Sequence, residues 1–284
     1  MKKIIKLIVV MFIGFLVFST GVTAAETIAV RRKIKNFTKL GILQEDISTN
    51  KTKYFKVSRE TLGFEEEFER EPFFHNNLTQ PGFEGDIFVT QQSPFPNLPG
   101  VHQFVSFYFG GHAAYVGDNN RLYEIAGIPS GDESFLEVFF KGSDSTVANS
   151  TSNYWMNDSF RDENDPSFVN YGSYYRKEWV GLRVKGVSLD SINKVTNFMK
   201  DLENRKVQYN FQFIINRKDR YYCTDMMNRA YETIINNNSF NDISLNYDMV
   251  ATTVNDLILS KHSYIAYYVT TDKNGIKYLY FIDN

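Results

Sequence analysis

The first apolar block of the chain has no period. Residues 7–18 run without a charge or a strongly polar side chain. They follow Lys2, Lys3 and Lys6 and precede the small residues Ser19, Thr20, Gly21, Val22, Thr23, Ala24 and Ala25. That order suits a Sec signal peptide over 1–24, cleaved after Ala24 or Ala25. The alternative is an uncleaved anchor. Twelve apolar residues fall short of the ~20 that a bilayer span needs, so no stable membrane span is expected after cleavage. Residues 25–80 show no sustained period. Short apolar pieces, Leu40-Gly41-Ile42-Leu43 and Tyr54-Phe55-Lys56-Val57, sit between charged runs, and the segment reads as an N-terminal extension of uncertain structure.

From residue 81 the pattern sharpens. Pro81-Gly82-Phe83-Glu84-Gly85-Asp86 is turn chemistry ahead of a strand at 87–90. Beyond a Pro-rich loop, residues 104–109 and 112–116 read as strand, broken by Gly110-Gly111. Gly117-Asp118-Asn119-Asn120 marks a hairpin, with 122–126 as the return strand. Residues 129–176, polar and aromatic, read as long surface loops suited to substrate contact. A strand follows at 179–184. Leu189, Ile192, Val195, Met199 and Leu202 then recur at helical spacing behind Ser188 as N-cap. A second helix opens at Cys223 and carries Met226, Met227, Ala230, Tyr231 and Ile234 on one face. Residues 264–269 and 276–282 are strands joined through Lys273-Asn274-Gly275. This mixture predicts an α+β domain over 81–284, an antiparallel sheet packed against helices.

Composition narrows the classes of function. Loss of residues 1–24 removes three lysines and no acid, leaving 28 basic against 33 acidic residues and a formal charge of −5. No basic stripe is present, so nucleic acid is not an expected partner. The 25 Phe and 18 Tyr are enough to build a sizeable core without disulfides.

Cys223 changes the picture, because it is the only cysteine in 284 residues. In an exported chain it cannot close an internal disulfide. It is an inert buried residue, a partner for another chain, or a working thiol. The unpaired N–H groups in the first turn of a helix favour negative charge, and the thiolate is the nucleophilic form of cysteine. The Cys223 N–H would donate to an oxyanion. A hydroxyl of Tyr221 or Tyr222 is a candidate second donor or substrate contact, with core packing as the alternative for each. The base should be a histidine oriented by a third polar group. Among His75, His102, His112 and His262, His112 stands out. Gly110-Gly111 leaves room beside it, and its hairpin partner strand carries Glu124. Pairing centred on Asp118 would set residues 112 and 124 directly opposite on one face. A turn centred between 118 and 119 would aim Glu124 at the other face and break the triad. The histidines are dispersed, without ligand spacing, so neither a metal nor an organic cofactor is expected.

The blocks Gly85-Asp86-Ile87-Phe88-Val89, Gly111-His112-Ala113-Ala114-Tyr115-Val116-Gly117, Leu122-Tyr123-Glu124-Ile125-Ala126 and Tyr222-Cys223-Thr224-Asp225-Met226 together resemble the NlpC-type papain-like cysteine hydrolases. More narrowly they resemble the circularly permuted branch that includes YiiX- and YaeF-like proteins. In unpermuted members the cysteine precedes the histidine; here it follows. The resemblance spans about residues 81–270. The family's usual Cys-Ser-Glu-hydrophobic is replaced by Cys223-Thr224-Asp225-Met226. The resemblance implies a permuted papain-like fold with Cys223 as nucleophile, His112 as base and Glu124 as orienting group. It also implies hydrolysis of an amide or ester through an acyl-thioester, on cell-wall peptides or on a lipid or acylated substrate, in a secreted or cell-surface protein. The rival from another class is a non-catalytic extracellular binding protein that keeps the fold.

Overall fold

The computed structural model describes residues 2–93, 101–108, 110–127, 143–150, 152–157, 163–164, 175–213, 219–235, 243–247 and 251–283. Short runs of β-branched and aromatic residues form strands β1 (Ile42–Leu43), β2 (Thr52–Val57), β3 (Ile87–Thr90), β4 (His112–Val116), β5 (Leu122–Ile125), β6 (Ser143–Asn149), β7 (Glu178–Val184), β8 (Gln208–Tyr209), β9 (Arg220–Tyr221), β10 (Ser263–Thr271) and β11 (Lys277–Ile282). They hydrogen-bond in the order β1-β2-β11-β10-β7-β3-β4-β5-β6-β8-β9. The helices are α1 (Lys2–Thr38), α2 (Val101–Tyr108), α3 (Leu189–Asn204), α4 (Cys223–Ile235) and α5 (Val254–Leu259).

The chain is therefore α+β, but the sheet is mixed rather than antiparallel. β2 pairs parallel with β11, and β8 parallel with β9. The first of these pairings comes from the segment 25–80, whose β2 covers what would otherwise be an open edge of β11. Two further expectations are corrected. Residues 104–108 belong to helix α2, not to a strand; rings of Phe104 and Tyr108, one helical turn apart, meet at 4.8 Å. Phe109 lies outside the described residues. Within 129–176, read as loops, residues 143–149 form β6 and pair with β5.

The centre of the sheet is fully buried. Every residue of β3, β4 and β5 is shielded from solvent, as expected for strands packed on both faces. On one side lie α3 and α4, which pack on each other, α4 also on β4. α3 buries Ile192, Val195, Met199 and Leu202, and Ser188 Oγ accepts from the Ser191 N–H at 3.2 Å as its cap. α4 buries Met226, Met227, Ala230 and Tyr231, and the Tyr231 hydroxyl donates to Gly85 O at 2.5 Å. That bond ties the helix to the turn leading into β3. The two-glycine break before β4 has a steric cause. A Cβ at Gly111 would sit 1.9 Å from Gln92 O, and Gly110 has φ +81 with Val254 pressed against it. The glycines let the backbone after β3 and the start of α5 close on the entry to β4.

Candidate active site

His112 begins β4 and Glu124 lies in β5. The register Tyr115↔Tyr123 and Val116↔Leu122 centres the hairpin on Asn119, one residue beyond the expected centre. Direct opposition of 112 and 124 is thus replaced by a diagonal relation, with Glu124 level with residue 114. The shift is even in register, so both side chains stay on one face. Asn119 and Asn120, at φ 54 and 55, absorb the two extra turn residues. The diagonal is short enough for the side chains to bridge: His112 Nε2–H donates to Glu124 Oε2 at 2.6 Å.

The second carboxylate oxygen of Glu124 accepts from the Tyr154 hydroxyl. With both oxygens engaged, Glu124 is held. Burial pushes its pKa up, but the bonds to His112 and Tyr154 and the charges of His112 and Arg176 outweigh this and bring it below the ordinary value. Burial of His112 works in the same opposed way. Desolvation alone would depress its pKa, yet hydrogen bonding to Cys223 and Glu124 and their charges raise it to about 10. Cys223 thus lies close enough to the imidazole to bear on its protonation. Since Nε2 serves Glu124, the other ring nitrogen, Nδ1, is the one left for the thiol.

Cys223 is the first residue of α4 and is 8% exposed. Its position depends on residue 252. The Thr252 N–H donates to the Tyr222 hydroxyl at 2.7 Å, and the Thr224 hydroxyl donates to Thr252 O at 2.6 Å. The neighbours on either side of the cysteine therefore grip one distant residue. Tyr222 also sets its ring edge-on to Phe213 at 5.2 Å. Tyr221 carries the Arg229 guanidinium 3.9 Å over its face and meets Phe198 edge-on. Both tyrosines are buried, and the Tyr222 hydroxyl is engaged by the Thr252 N–H. Tyr209 is a further hydroxyl in this neighbourhood; burial first, then the charges of Cys223 and Tyr222, raise its pKa.

The imidazole is roofed by aromatic rings. Trp155 stacks on it at 6.4 Å with an interplanar angle of 17°, and Tyr175 approaches at 6.3 Å. The Arg176 guanidinium lies over Tyr154, Tyr175 and Trp155 at 4.6, 5.2 and 5.3 Å. Of the loop aromatics suited to substrate contact, Tyr154, Trp155 and Tyr175 reach the site; Phe139, Phe140 and Tyr174 lie outside the described residues. The other histidines stand elsewhere. His75 occupies a one-turn helix at φ 49, and His262 has its pKa lowered by burial and by Lys261 and Lys185. The His102 side chain is not described. Sequence reasoning missed Tyr154 as a partner of Glu124 and Thr252 as the clamp. They lie 30 residues from Glu124 and from Tyr222, respectively, and no local pattern marks either.

No family model, curated protein or solved structure matches this chain. Its function must be read from the site itself.

Proposed function

We propose that the chain is an exported cysteine hydrolase with a circularly permuted papain-like fold, acting on an amide or ester bond of a cell-wall peptide or of a lipid or acylated substrate. One observation supports it above the rest: the only thiol in the chain, a buried imidazole and a doubly bonded carboxylate meet, although they come from β4, β5 and the start of α4. In the proposed cycle His112, whose pKa is raised to about 10, is an imidazolium at neutral pH that already holds the thiol's proton on Nδ1, and the Cys223 sulfur attacks the acyl carbon as the thiolate. Glu124 holds the imidazole by Nε2 and stabilises the imidazolium. The N–H groups of the first turn of α4, among them that of Cys223, face the developing oxyanion. The imidazolium then protonates the leaving amine or alcohol. Water, deprotonated by His112, attacks the thioester, releases the acid and restores the thiolate.

Burial of Cys223 and the aromatic roof over His112 favour the second reading, a binding protein that keeps the fold without turnover. Alkylation of the native chain by iodoacetamide between pH 5 and 9 separates the two. The hydrolase should label rapidly, and Cys223→Ala should abolish turnover of a peptidoglycan digest or a fatty-acyl ester panel while leaving the thermal midpoint in place. A thiol inert until the chain is denatured, with no turnover in either assay, would leave the binding protein.

A further inference from the structure

Among the described side chains of α1, those from Val9 to Phe18 are exposed. The helix runs unbroken from Lys2 to Thr38, through the small residues where a signal peptidase would cut. Its uncharged stretch, residues 7–25, extends beyond the twelve-residue apolar run to nineteen. At 1.5 Å per residue that is roughly 28 Å, close to the ~30 Å bilayer core. An 18-residue window of this helix has a mean hydropathy of 1.8 and is only 6% buried. Exposure is not confined to one stripe. The consecutive residues Val9, Val10 and Met11, and again Phe15, Leu16, Val17 and Phe18, are all 39–70% exposed. A helix apolar on all sides requires an apolar medium on all sides. Lysines precede the stretch, and Arg31 and Arg32 follow it.

Two other features point the same way. The part of α1 after the cleavage region is core: Val30, Ile34 and Phe37 are buried, and Lys33 Nζ donates to Ile258 O in α5. α1 also lines a cavity of about 360 Å³ through Thr27, Arg31 and Ile34. The apolar half is thus the direct continuation of a structural helix. Secondly, α2 lies beside it. The Tyr108 hydroxyl and Thr20 Oγ1 share a hydrogen bond of 2.6 Å, and Phe104, 55% exposed, packs on Tyr108. Thr20 is five residues before the end of the uncharged stretch, about 7 Å along the axis, the level at which aromatic residues gather at a membrane interface.

We infer that α1 is retained in the mature protein, that residues 7–25 span a lipid bilayer, and that Phe104 and Tyr108 of α2 rest in its interface. This inference is independent of the chemistry assigned to Cys223. The test uses the full chain expressed in bacteria. It should stay in the membrane fraction through an alkaline carbonate wash, dissolve in detergent and keep the intact mass of residues 1–284. Recovery in the soluble fraction with residue 25 or 26 at the N-terminus would overturn the span. The double change Phe15→Lys, Val17→Lys alters two exposed side chains and should release the chain folded; continued carbonate-resistant retention would also overturn it. Phe104→Trp in the full chain, reconstituted in phosphatidylcholine–phosphatidylglycerol vesicles, should gain emission quenched by brominated lipid, because Trp155 and Trp179 are buried. Added emission that brominated lipid leaves unquenched would overturn the interfacial role of α2.

Discussion

Glu124 is the side chain on which the site turns. One oxygen fixes the His112 ring and the other is occupied by Tyr154; with hydrogen bonding to Cys223 first, the bond to Glu124 and its buried charge then keep the imidazole basic. Glu124→Gln preserves the shape and removes that charge, so kcat/KM on any substrate found should fall by about 10²-fold or more. The same pair makes stability depend on pH. The folded His112 pKa is raised from 6.5 to about 10. Its contribution is complete below the unfolded value near 6.5 and is lost as pH rises through about 10. Glu124 is lowered from 4.5; its contribution is present above that value and is lost as pH falls through the folded one. The native chain should therefore lose urea resistance between pH 6.5 and 10, and Glu124→Gln should lose less over the same range. Parallel urea midpoints at pH 6 and pH 9 in the two proteins would refute the coupling.

At the scale of elements, the start of α4 determines what Cys223 can do, and it is held from outside by Thr252. Thr224→Val keeps the side-chain shape but leaves the buried Thr252 carbonyl without its donor, a loss of about 1–3 kcal/mol. The first turn of α4 should loosen, and iodoacetamide should label Cys223 several-fold faster than in the native chain. Unchanged labelling and an unchanged urea midpoint would dismiss the clamp. The helices α3 and α4 were legible because their apolar spacing and the Ser188 cap are local signals. The β4–β5 hairpin was legible for the same reason, but its turn left open whether His112 and Glu124 share a face, and its centre lies one residue beyond the expected Asp118. α2 was not, since alternating and helical readings fit so short an aromatic run equally well. The Thr252 clamp and the aromatic roof were illegible because they are contacts between segments distant in sequence. β2 was illegible because its partner, β11, lies more than 200 residues away, and its parallel pairing leaves no hairpin turn to read.

For the molecule as a whole, residues 25–80 decide whether the site has a scaffold. Tyr54 and Val57 of β2 are buried in the common core. Arg59 is tied to Asp283 through its N–H at 2.6 Å and through its guanidinium. Arg183, in β7, pairs with the fully buried Asp86 at 3.0 Å. The remaining donors of its guanidinium reach Arg70 O at 2.8 Å, Glu71 O at 3.1 Å and the Tyr267 hydroxyl at 2.7 Å. Two of the acceptors completing this buried ion therefore belong to the N-terminal segment. A chain of residues 81–284, which contains every block of the family resemblance, would expose the long edge of β11 and leave Arg183 short of acceptors in a buried position. Asp86 stays paired with Arg183 in that fragment, but each buried donor left without its acceptor costs about 1–3 kcal/mol, and more on a charged group, so the two lost carbonyls take a large share of the 5–15 kcal/mol that stabilises a typical domain. That fragment should show no cooperative urea transition and should aggregate through its open strand, whereas the full chain in detergent should unfold in one step. A sharp transition in the 81–284 fragment, with Cys223 labelling as in the full chain, would mean that the N-terminal segment is an accessory to the fold and not one of its layers.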